Sequence, residues 1–297
     1  MNDKPLVSYC IVSYNAEKFI QEAIESALNQ DYYPMEIIIS DDCSTDNTYE
    51  VIKNVTSEYK GDKKIIINRN EHNIGPRENY NKVMYELSKG EILIFGDGDD
   101  VSTPNRTSEY VKQFVRFPEI MMVSCLSDET YEDGTSMMKN FEWSNTVSIY
   151  NFEDFASNTF QRIYSGDSRG IRRDVIEKFP PLKYSQAEDM QVFVRCLMLG
   201  SGCYLRTPFV KRRHHDNNLS GKPMSQKVLT MWKKQIDTDI EYAFSQNYIT
   251  KFIYTEFKRK INFVYWLYNV YDVPLLHSIK SFVYQLLNKY FVVKRYR

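Results

Sequence analysis

The most concentrated chemistry in this sequence is a short acidic run, Asp97-Gly98-Asp99-Asp100. Neighbouring carboxylates repel one another and resist removal from water, so such a cluster either carries a divalent cation or stays solvated in a turn. Carboxylate oxygens are the ligands that Mg²⁺ and Mn²⁺ prefer. The run therefore predicts a divalent-cation site, with an ordinary acidic turn as the alternative.

The acidic run directly follows an apolar stretch, residues 91–96, whose length suits a buried strand. Ser13-Tyr14-Asn15 follows a similar stretch at 6–12, and Asp41-Asp42 follows a third at 36–40. Ligands of an open α/β sheet bind beyond the carboxyl ends of its parallel strands. We therefore expect the three polar strand ends to converge on one ligand crevice.

Strand and helix patterns alternate through the first hundred residues. Helical spacing of apolar residues predicts helices over about 19–28, 48–59 and 78–87, and a further strand is expected at 64–68. Short connections between such elements favour right-handed crossovers and a parallel sheet, so the fold class is α/β. No G-x-G-x-x-G or G-x-x-x-x-G-K-[ST] motif occurs, which argues against a dinucleotide-binding turn and a P-loop.

Composition bears on the compartment and on the partners. The chain has 297 residues and a formal net charge of −1, so no nucleic-acid partner is indicated. Its five cysteines show no C-x-x-C spacing, which is typical of reduced thiols. No signal-type segment opens the sequence and no stretch approaches about 18 consecutive apolar residues. We expect a cytoplasmic protein, located at the inner face of the plasma membrane if its C-terminal segment binds lipid.

The C-terminal segment is both basic and apolar. Residues 251–297 contain nine Lys or Arg, and their only acidic residues are Glu256 and Asp272. Apolar residues at helical spacing form two wide faces, over 252–270 and 275–287, separated near Pro274. The pattern predicts a helical appendage over 223–297 that contacts an anionic membrane surface, a second subunit in a homodimer, or the catalytic domain.

Several motifs, in order, resemble those of the family 2 glycosyltransferases. They are Val7-Ser8-Tyr9-Cys10-Ile11-Val12-Ser13-Tyr14-Asn15, Glu36-Ile37-Ile38-Ile39-Ser40-Asp41-Asp42-Cys43-Ser44-Thr45-Asp46-Asn47-Thr48, Asn73-Ile74-Gly75 and Asp97-Gly98-Asp99-Asp100. The resemblance covers about residues 5–220. It implies the GT-A fold, a Rossmann-like, mostly parallel sheet flanked by helices. A catalytic domain is then expected at 1–222, with a nucleotide-sugar half at about 1–100 and an acceptor half at about 101–222, before the helical region at 223–297.

The resemblance also implies roles on the donor side. Asp99 would bind Mn²⁺ or Mg²⁺ directly, and Asp97 would hold the metal or the donor ribose. His215, in a segment similar to the family's Arg-x-His-x-x-x-x-Ser element, would reach the metal or the pyrophosphate. The residues implied to contact the nucleotide sugar are Val12, Ser13, Tyr14, Asp42, Arg77, Asn81, Asp97 and Gly98. The sequence departs from the family at Asn79-Tyr80-Asn81, where many relatives carry Ala-Arg-Asn, with Arg77 as the substitute arginine.

On the acceptor side, Glu188 and Asp189 resemble the family's late Glu-Asp pair. Asp189 would be the catalytic base and Glu188 a neighbouring acceptor contact. The alternative is that both carboxylates only complement a helix dipole. Between 127 and 160 we expect a hairpin or flap, with Trp143, Tyr150 and Phe152 as a sugar-stacking surface or as packing residues.

Taken together, the motifs predict a metal-dependent inverting glycosyltransferase, a hexosyl- or N-acetylhexosaminyltransferase. It would move one sugar from a nucleotide-diphosphate sugar, a UDP-sugar by expectation, to a hydroxyl of a glycan or lipid-linked glycan in surface-polysaccharide synthesis. The absence of a Gln-x-x-Arg-Trp motif argues against a processive synthase. The alternatives are a sugar nucleotidyltransferase, whose Gly-rich loop is missing here, and a catalytically silent glycan-binding or scaffold protein on the same fold.

Overall fold

The computed structural model describes residues 4–131, 135–136, 147–152, 168–184, 188–215 and 225–270. The strands are β1 (Val7–Ser13), β2 (Met35–Asp41), β3 (Lys64–Arg69), β4 (Ile92–Asp97), β5 (Val101–Ser102), β6 (Ile120–Tyr131), β7 (Val147–Tyr150), β8 (Gly170–Arg172) and β9 (Ser201–His214). The helices are α1 (Ile20–Leu28), α2 (Thr48–Glu58), α3 (Pro76–Asn81), α4 (Arg106–Arg116), α5 (Asp174–Lys178), α6 (Glu188–Leu199), α7 (Gln226–Ser245) and α8 (Lys251–Val270). A π-helical turn, Lys82–Leu87, continues α3. The predicted alternation of strands and helices is confirmed.

These strands form one mixed sheet in the order β3-β2-β1-β4-β8-β6-β9-β5, with β7 paired to β9. The first four strands are parallel, and the apolar runs of β1, β2 and β4 are buried, as expected for strands covered on both faces. Val12 of β1 pairs with Ser40 of β2 and with Asp97 of β4. The polar ends of three strands therefore lie side by side, as predicted.

The second half of the sheet brings distant parts of the chain to the same edge. β8 runs antiparallel between β4 and β6, and β6 pairs with β9 in parallel as far as Tyr131 and His214. The short strand β5 pairs antiparallel with β9, matching Val101 with Lys211. Because β5 directly follows the acidic loop, this pairing brings the end of β9 to that loop.

Helices cover both faces of the sheet. Successive strand residues point to opposite faces, so Tyr9 and Cys10 of β1 enter different hydrophobic clusters. Residues from α1, α2 and α4 complete the cluster around Tyr9. The π-helical turn, α5, α6, α7 and α8 contribute to the cluster around Cys10. The strand ends are therefore held by a core on each side.

The helices α7 and α8 pack on the domain formed by the sheet and its flanking helices. Trp232 and Ile240 of α7, with Phe257 and Ile261 of α8, are buried in the cluster that contains Phe193 of α6. Of the three contacts expected for the C-terminal helices, packing on the catalytic domain is the one the structure shows. The second predicted apolar face, over 275–287, lies outside the described residues. Among the helices of the described ranges, none is both long enough and apolar enough to cross a bilayer.

Of the three aromatic residues expected at the flap, two lie in the core and the third lies outside the described residues. Tyr150 and Phe152 are buried, with ring centroids 6.0 Å from Phe193 and 3.9 Å from Phe257 respectively. Of the two alternatives, packing is confirmed for these residues and sugar stacking is wrong, because both side chains are buried in the core. Trp143 lies outside the described residues.

Candidate active site

The acidic run forms a tight turn at the end of β4. One carboxylate oxygen from each of Asp97, Asp99 and Asp100 lies within 4.8 Å of the others. Gly98 N donates to Val12 O at 3.1 Å, which ties the turn to β1. A Cβ at position 98 would lie 3.0 Å from Ser13 Cβ, so the close approach of the two strand ends favours glycine. The arrangement gathers three carboxylates at the edge where ligands of such sheets bind.

His215, at the end of β9, contacts this turn. Its Nε2 lies 3.0 Å from Asp99 Oδ2, and its ring stacks on Phe19 with centroids 4.6 Å apart. The neighbouring backbone N–H of Arg213 donates to Asp100 Oδ1 at 3.0 Å. The three carboxylates are a donor set that suits Mn²⁺ or Mg²⁺. His215, the other predicted metal residue, reaches this set through its contact with Asp99.

Two buried residues lie between the acidic turn and Glu188. Tyr80 OH donates to Asp97 Oδ1 at 2.6 Å, and Arg169 Nη2 donates to Glu188 Oε1 at 2.8 Å. The guanidinium carbon of Arg169 lies 5.0 Å from the ring centroid of Tyr80 and 4.5 Å from that of Phe95, which are cation–π distances. We call the pair Tyr80 and Arg169, with these contacts, the Tyr80–Arg169 bridge. It connects Asp97 to the start of α6.

The environment of the Glu-Asp pair distinguishes its two members. Glu188 is buried, and this burial raises its pKa to about 7, opposed by the charge of Arg169 and assisted by those of Asp189 and Asp97. Asp189 is half-buried, and its Oδ1 accepts the N–H of Met190 at 2.7 Å. Glu188 therefore faces the protein interior, whereas Asp189 is the more open carboxylate.

The residues predicted to bind the nucleobase of the donor lie at the ends of β1 and β2. Tyr14 is 48% exposed, while Ser13 Oγ is buried and has no hydrogen-bond partner among the described residues. The buried carboxylate of Asp42 accepts hydrogen bonds from Asn70 Nδ2 and from the backbone N–H groups of Ile74 and Gly75, at 2.8 to 2.9 Å. Asp42 thus organises the loop after β3, and its predicted contact with a base stays a prediction.

Comparison with known proteins identifies the family. A family model described as glycosyl transferase family 2 matches residues 8–179. The chain belongs to this family. It is the family that the ordered motifs of the sequence resemble.

Two relatives and two solved structures illustrate the similarity. A Bacillus subtilis protein named putative glycosyltransferase EpsE is 34% identical over 37% of this chain, and the match spans only 39% of EpsE. An uncharacterized glycosyltransferase of Haemophilus influenzae is 25% identical over 94% of this chain and 92% of its own length. The match to the structure of S. aureus TarS in complex with UDP-GlcNAc covers 79% of this chain and 66% of the TarS chain, at a TM-score of 0.60 and 19% identity. The mannosyltransferase PcManGT of Pyrobaculum calidifontis, in complex with GDP-Man and Mn²⁺, covers 82% of this chain and 65% of that chain, at a TM-score of 0.54 and 17% identity. These likenesses confirm the GT-A fold.

In this family member, the side chains of Arg77 and Asn81 hold a neighbouring segment. Arg77 Nη1 donates to Lys183 O at 2.8 Å, and Asn81 exchanges hydrogen bonds with the backbone N–H and C=O of Leu182 at 3.0 and 2.8 Å. One helical turn further on, Tyr85 OH donates to the carbonyl of Pro180 at 3.1 Å. The predicted contact of Arg77 and Asn81 with the nucleotide sugar stays a prediction.

The same segment is held from its other side by α7. Gln235 Oε1 accepts the backbone N–H groups of Lys183 and Tyr184 at 2.7 and 2.9 Å, and Gln235 Nε2 donates to Asp239. Asp239 in turn forms a buried two-bond ion pair with Arg195 of α6, each bond 2.8 Å long. The C-terminal helix α7 therefore supports the chain that leads to Glu188 and Asp189.

Sequence reasoning missed Tyr80, Arg169 and Gln235. Tyr80 is the residue that departs from the family's arginine, and the guanidinium of Arg169 lies against its ring. That departure was the available signal, because an arginine missing from a polar site can be supplied from elsewhere in the chain. No local pattern distinguishes Gln235 from any other helical glutamine.

Proposed function

We propose that the chain is a metal-dependent inverting glycosyltransferase that moves one sugar from a nucleotide-diphosphate sugar to an acceptor hydroxyl. The observation that carries this proposal is the contact of His215 with Asp99 inside the carboxylate cluster at the end of β4. A family motif from late in the chain and one from its first third are thus joined in one site.

Asp97, Asp99 and His215 would hold Mn²⁺ or Mg²⁺. When bound, such a cation supplies electrostatic stabilisation of the negative charge that develops on a departing nucleoside diphosphate. The fit of the donor set supports this assignment, as does the Mn²⁺ complex of PcManGT. Phe19, stacked on the imidazole, would keep His215 directed to the turn.

Asp189 would act as the base that takes the proton from the attacking hydroxyl. Inverting transfer needs a base on the face of the sugar opposite the leaving group. The charge of Asp97 influences Glu188, which is also held through the Tyr80–Arg169 bridge, so the Glu-Asp pair and the acidic turn belong to one site. Buried Glu188 would contact or orient the acceptor, and half-buried Asp189 would take the proton.

The donor in our proposal is a UDP-sugar, bound at the ends of β1 and β2. Exposed Tyr14 would stack on the base, and Ser13, Val12 and the backbone of Gly98 would contact the nucleotide. The buried Ser13 Oγ supports this placement, because a hydroxyl without a partner among the described residues is suited to a ligand. TarS was solved with UDP-GlcNAc and PcManGT with GDP-Man, so the choice of UDP is the part that experiment must decide.

The acceptor in our proposal is a growing surface glycan or a lipid-linked glycan. The basic, apolar segment at 251–297 would bring the enzyme to the anionic inner face of the plasma membrane. In its described part, Phe252 is 65% exposed at the start of α8. Flotation with anionic vesicles, with and without residues 271–297, tests this contact; self-association of the full chain without vesicle binding would favour a homodimer.

The overall proposal is tested by screening the purified protein against UDP-, GDP- and dTDP-sugars with Mn²⁺, and with EDTA as the control. We expect metal-dependent binding of a UDP-sugar and slow hydrolysis of that sugar in the absence of acceptor. Asp99→Asn should abolish both. Binding that is indifferent to EDTA and to Asp99→Asn would refute the metal-dependent mechanism.

A further inference from the structure

We propose that Tyr80 and Arg169 are positioning residues that fix the donor-side carboxylate Asp97 relative to the acceptor-side pair Glu188-Asp189. This inference rests on the proposed function, since it assigns two further roles within that site. Neither residue takes part in bond making: each acts through the carboxylate that it holds. The proposal concerns the Tyr80–Arg169 bridge defined above.

Burial of the ion pair suggests that it serves more than stability. Arg169 is 2% exposed and its partner Glu188 is also buried. The cost of desolvating two charges largely cancels their attraction, so apolar residues of similar size would often stabilise a protein as well or better. A planar guanidinium, however, fixes the orientation of the carboxylate it binds in a way that apolar packing does not. The ion pair is therefore better explained by the orientation it gives to the Glu188 carboxylate than by a gain in the free energy of folding.

Aromatic packing makes the guanidinium itself immobile. Its carbon lies 4.5 Å from the ring centroid of Phe95, a residue of β4, and 5.0 Å from that of Tyr80, a residue of α3. The backbone carbonyl of Arg169 also accepts the N–H of Phe95 at 3.0 Å. Arg169 is thus fixed against the strand that ends in Asp97, and it transmits that position to the start of α6.

At the other end of the Tyr80–Arg169 bridge, Tyr80 holds Asp97. Its hydroxyl donates to Asp97 Oδ1 at 2.6 Å, and Tyr80 is only 5% exposed. A hydrogen bond of this kind orients a carboxylate ligand, and losing such a partner typically weakens metal binding.

The donor end is tested by Tyr80→Phe, which removes only the hydroxyl. Binding of Mn²⁺ alone, followed through the electron paramagnetic resonance of the free ion, should weaken about tenfold. Arg169→Met should change that affinity by less than about threefold, because Arg169 acts on Glu188. If the wild-type protein binds Mn²⁺ and Tyr80→Phe binds it with the same affinity, the proposed role of Tyr80 is overturned.

The acceptor end is tested by Arg169→Met through hydrogen exchange and turnover. Backbone exchange within α6, residues Glu188–Leu199, should accelerate about tenfold while that of β1 stays unchanged. The kcat for metal-dependent hydrolysis of the UDP-sugar should fall at least about tenfold, with its KM unchanged. Arg169→Lys, which keeps the charge, should restore part of kcat, and it replaces the methionine variant if that protein does not fold.

The matched control is Arg172→Met, at the end of β8, the strand that directly follows Arg169. Arg172 donates to the carbonyls of Ile120 and Phe114 and stacks on the Phe114 ring, without contacting the acidic turn or Glu188. It should lower stability without changing Mn²⁺ affinity or exchange in α6. Faster exchange in the Arg169 variants with unchanged kcat would overturn the positioning role. A wild-type protein that hydrolyses no donor would instead count against the proposed function, since the exchange and Mn²⁺ measurements are made without substrate.

Discussion

His215 Nε2 lies 3.0 Å from Asp99 Oδ2, although 116 positions separate the two residues in the sequence. The contact exists because β9 pairs with β5, the short strand that follows the acidic turn. Phe19, just before α1, stacks on the imidazole and completes the junction. Three separate parts of the chain thus meet at the proposed metal site.

If His215 is a metal ligand, His215→Gln should weaken Mn²⁺ binding. Loss of one direct ligand should cost at least the roughly tenfold that loss of an outer-shell partner costs. Calorimetric titration with Mn²⁺ measures the effect. His214→Gln is the matched control, because His214 pairs with Glu129 and stacks on Tyr131 rather than contacting Asp99. Equal losses in the two variants would argue against a specific role for His215.

If Asp189 is the base, Asp189→Asn should abolish transfer while donor binding is retained. General-base catalysis contributes about 10²- to 10⁴-fold, so donor hydrolysis should fall by that factor at unchanged donor affinity. Asp174→Asn is the control for a helix-dipole effect, because Asp174 occupies the first turn of α5. A variant that keeps most of its turnover would show that the base lies elsewhere.

Much of this site could be predicted because its first-half elements have local sequence signals. Apolar runs mark β1, β2 and β4, and the carboxyl ends of parallel strands share one edge, so the meeting of Ser13, Asp41 and Asp97 followed directly. The Tyr80–Arg169 bridge could not be predicted in this way. It depends on β8 entering the sheet antiparallel between β4 and β6, and no local pattern specifies that pairing.

The roles of other side chains could not be predicted for a similar reason. Arg77 and Asn81 carry groups suited to phosphate, but which face of a short helix meets a ligand depends on what packs against it. Residues 182–183, about a hundred positions further on, accept hydrogen bonds from both side chains, and contact of these side chains with the donor stays a prediction. Tyr150 and Phe152 likewise look suited to a sugar, but both are buried in the core.

The buried carboxyl of Glu188 predicts a pH dependence of stability. Burial raises its pKa from an ordinary 4.5 to about 7, opposed by Arg169 and assisted by Asp189 and Asp97, with Tyr80 as a further neighbour. Between these pH values the folded protein binds the proton more tightly than the unfolded chain, so this group's contribution to stability is lost as pH rises from about 4.5 to about 7. The loss should approach about 3 kcal/mol.

Denaturant unfolding in EDTA of the wild type and of Glu188→Gln measures this contribution. Subtracting the two free energies of unfolding at each pH cancels the other titrating groups. The wild type should lose its advantage over Glu188→Gln as pH rises from 4.5 to 7.5. A difference that grows with pH would show that attraction to Arg169 outweighs the cost of burial.

The hydrogen bonds of Gln235 predict that α7 is required for activity. Gln235→Ala would leave the partly buried backbone N–H groups of Lys183 and Tyr184 without their acceptor. The net loss per hydrogen bond is about 0.5–1.5 kcal/mol. Turnover should also fall, because the same segment leads to Asp189. Thermal unfolding and donor hydrolysis below the transition measure the two effects. Gln246→Ala, just after α7, is the control and should change neither.

Gly75 links backbone conformation to the loop that Asp42 organises. Its φ of +85° and ψ of 160° lie in a region that essentially only glycine adopts, and its N–H donates to Asp42 Oδ2 at 2.8 Å. No atom lies within 4 Å of a Cβ built there, so Gly75→Ala tests the backbone conformation without a steric clash. The substitution should cost about 1–3 kcal/mol in the free energy of unfolding, measured by denaturant titration. UDP binding should weaken too if Asp42 contacts the base, because a strained loop would move the carboxylate; a loss of stability with unchanged UDP affinity would confine Asp42 to a structural role.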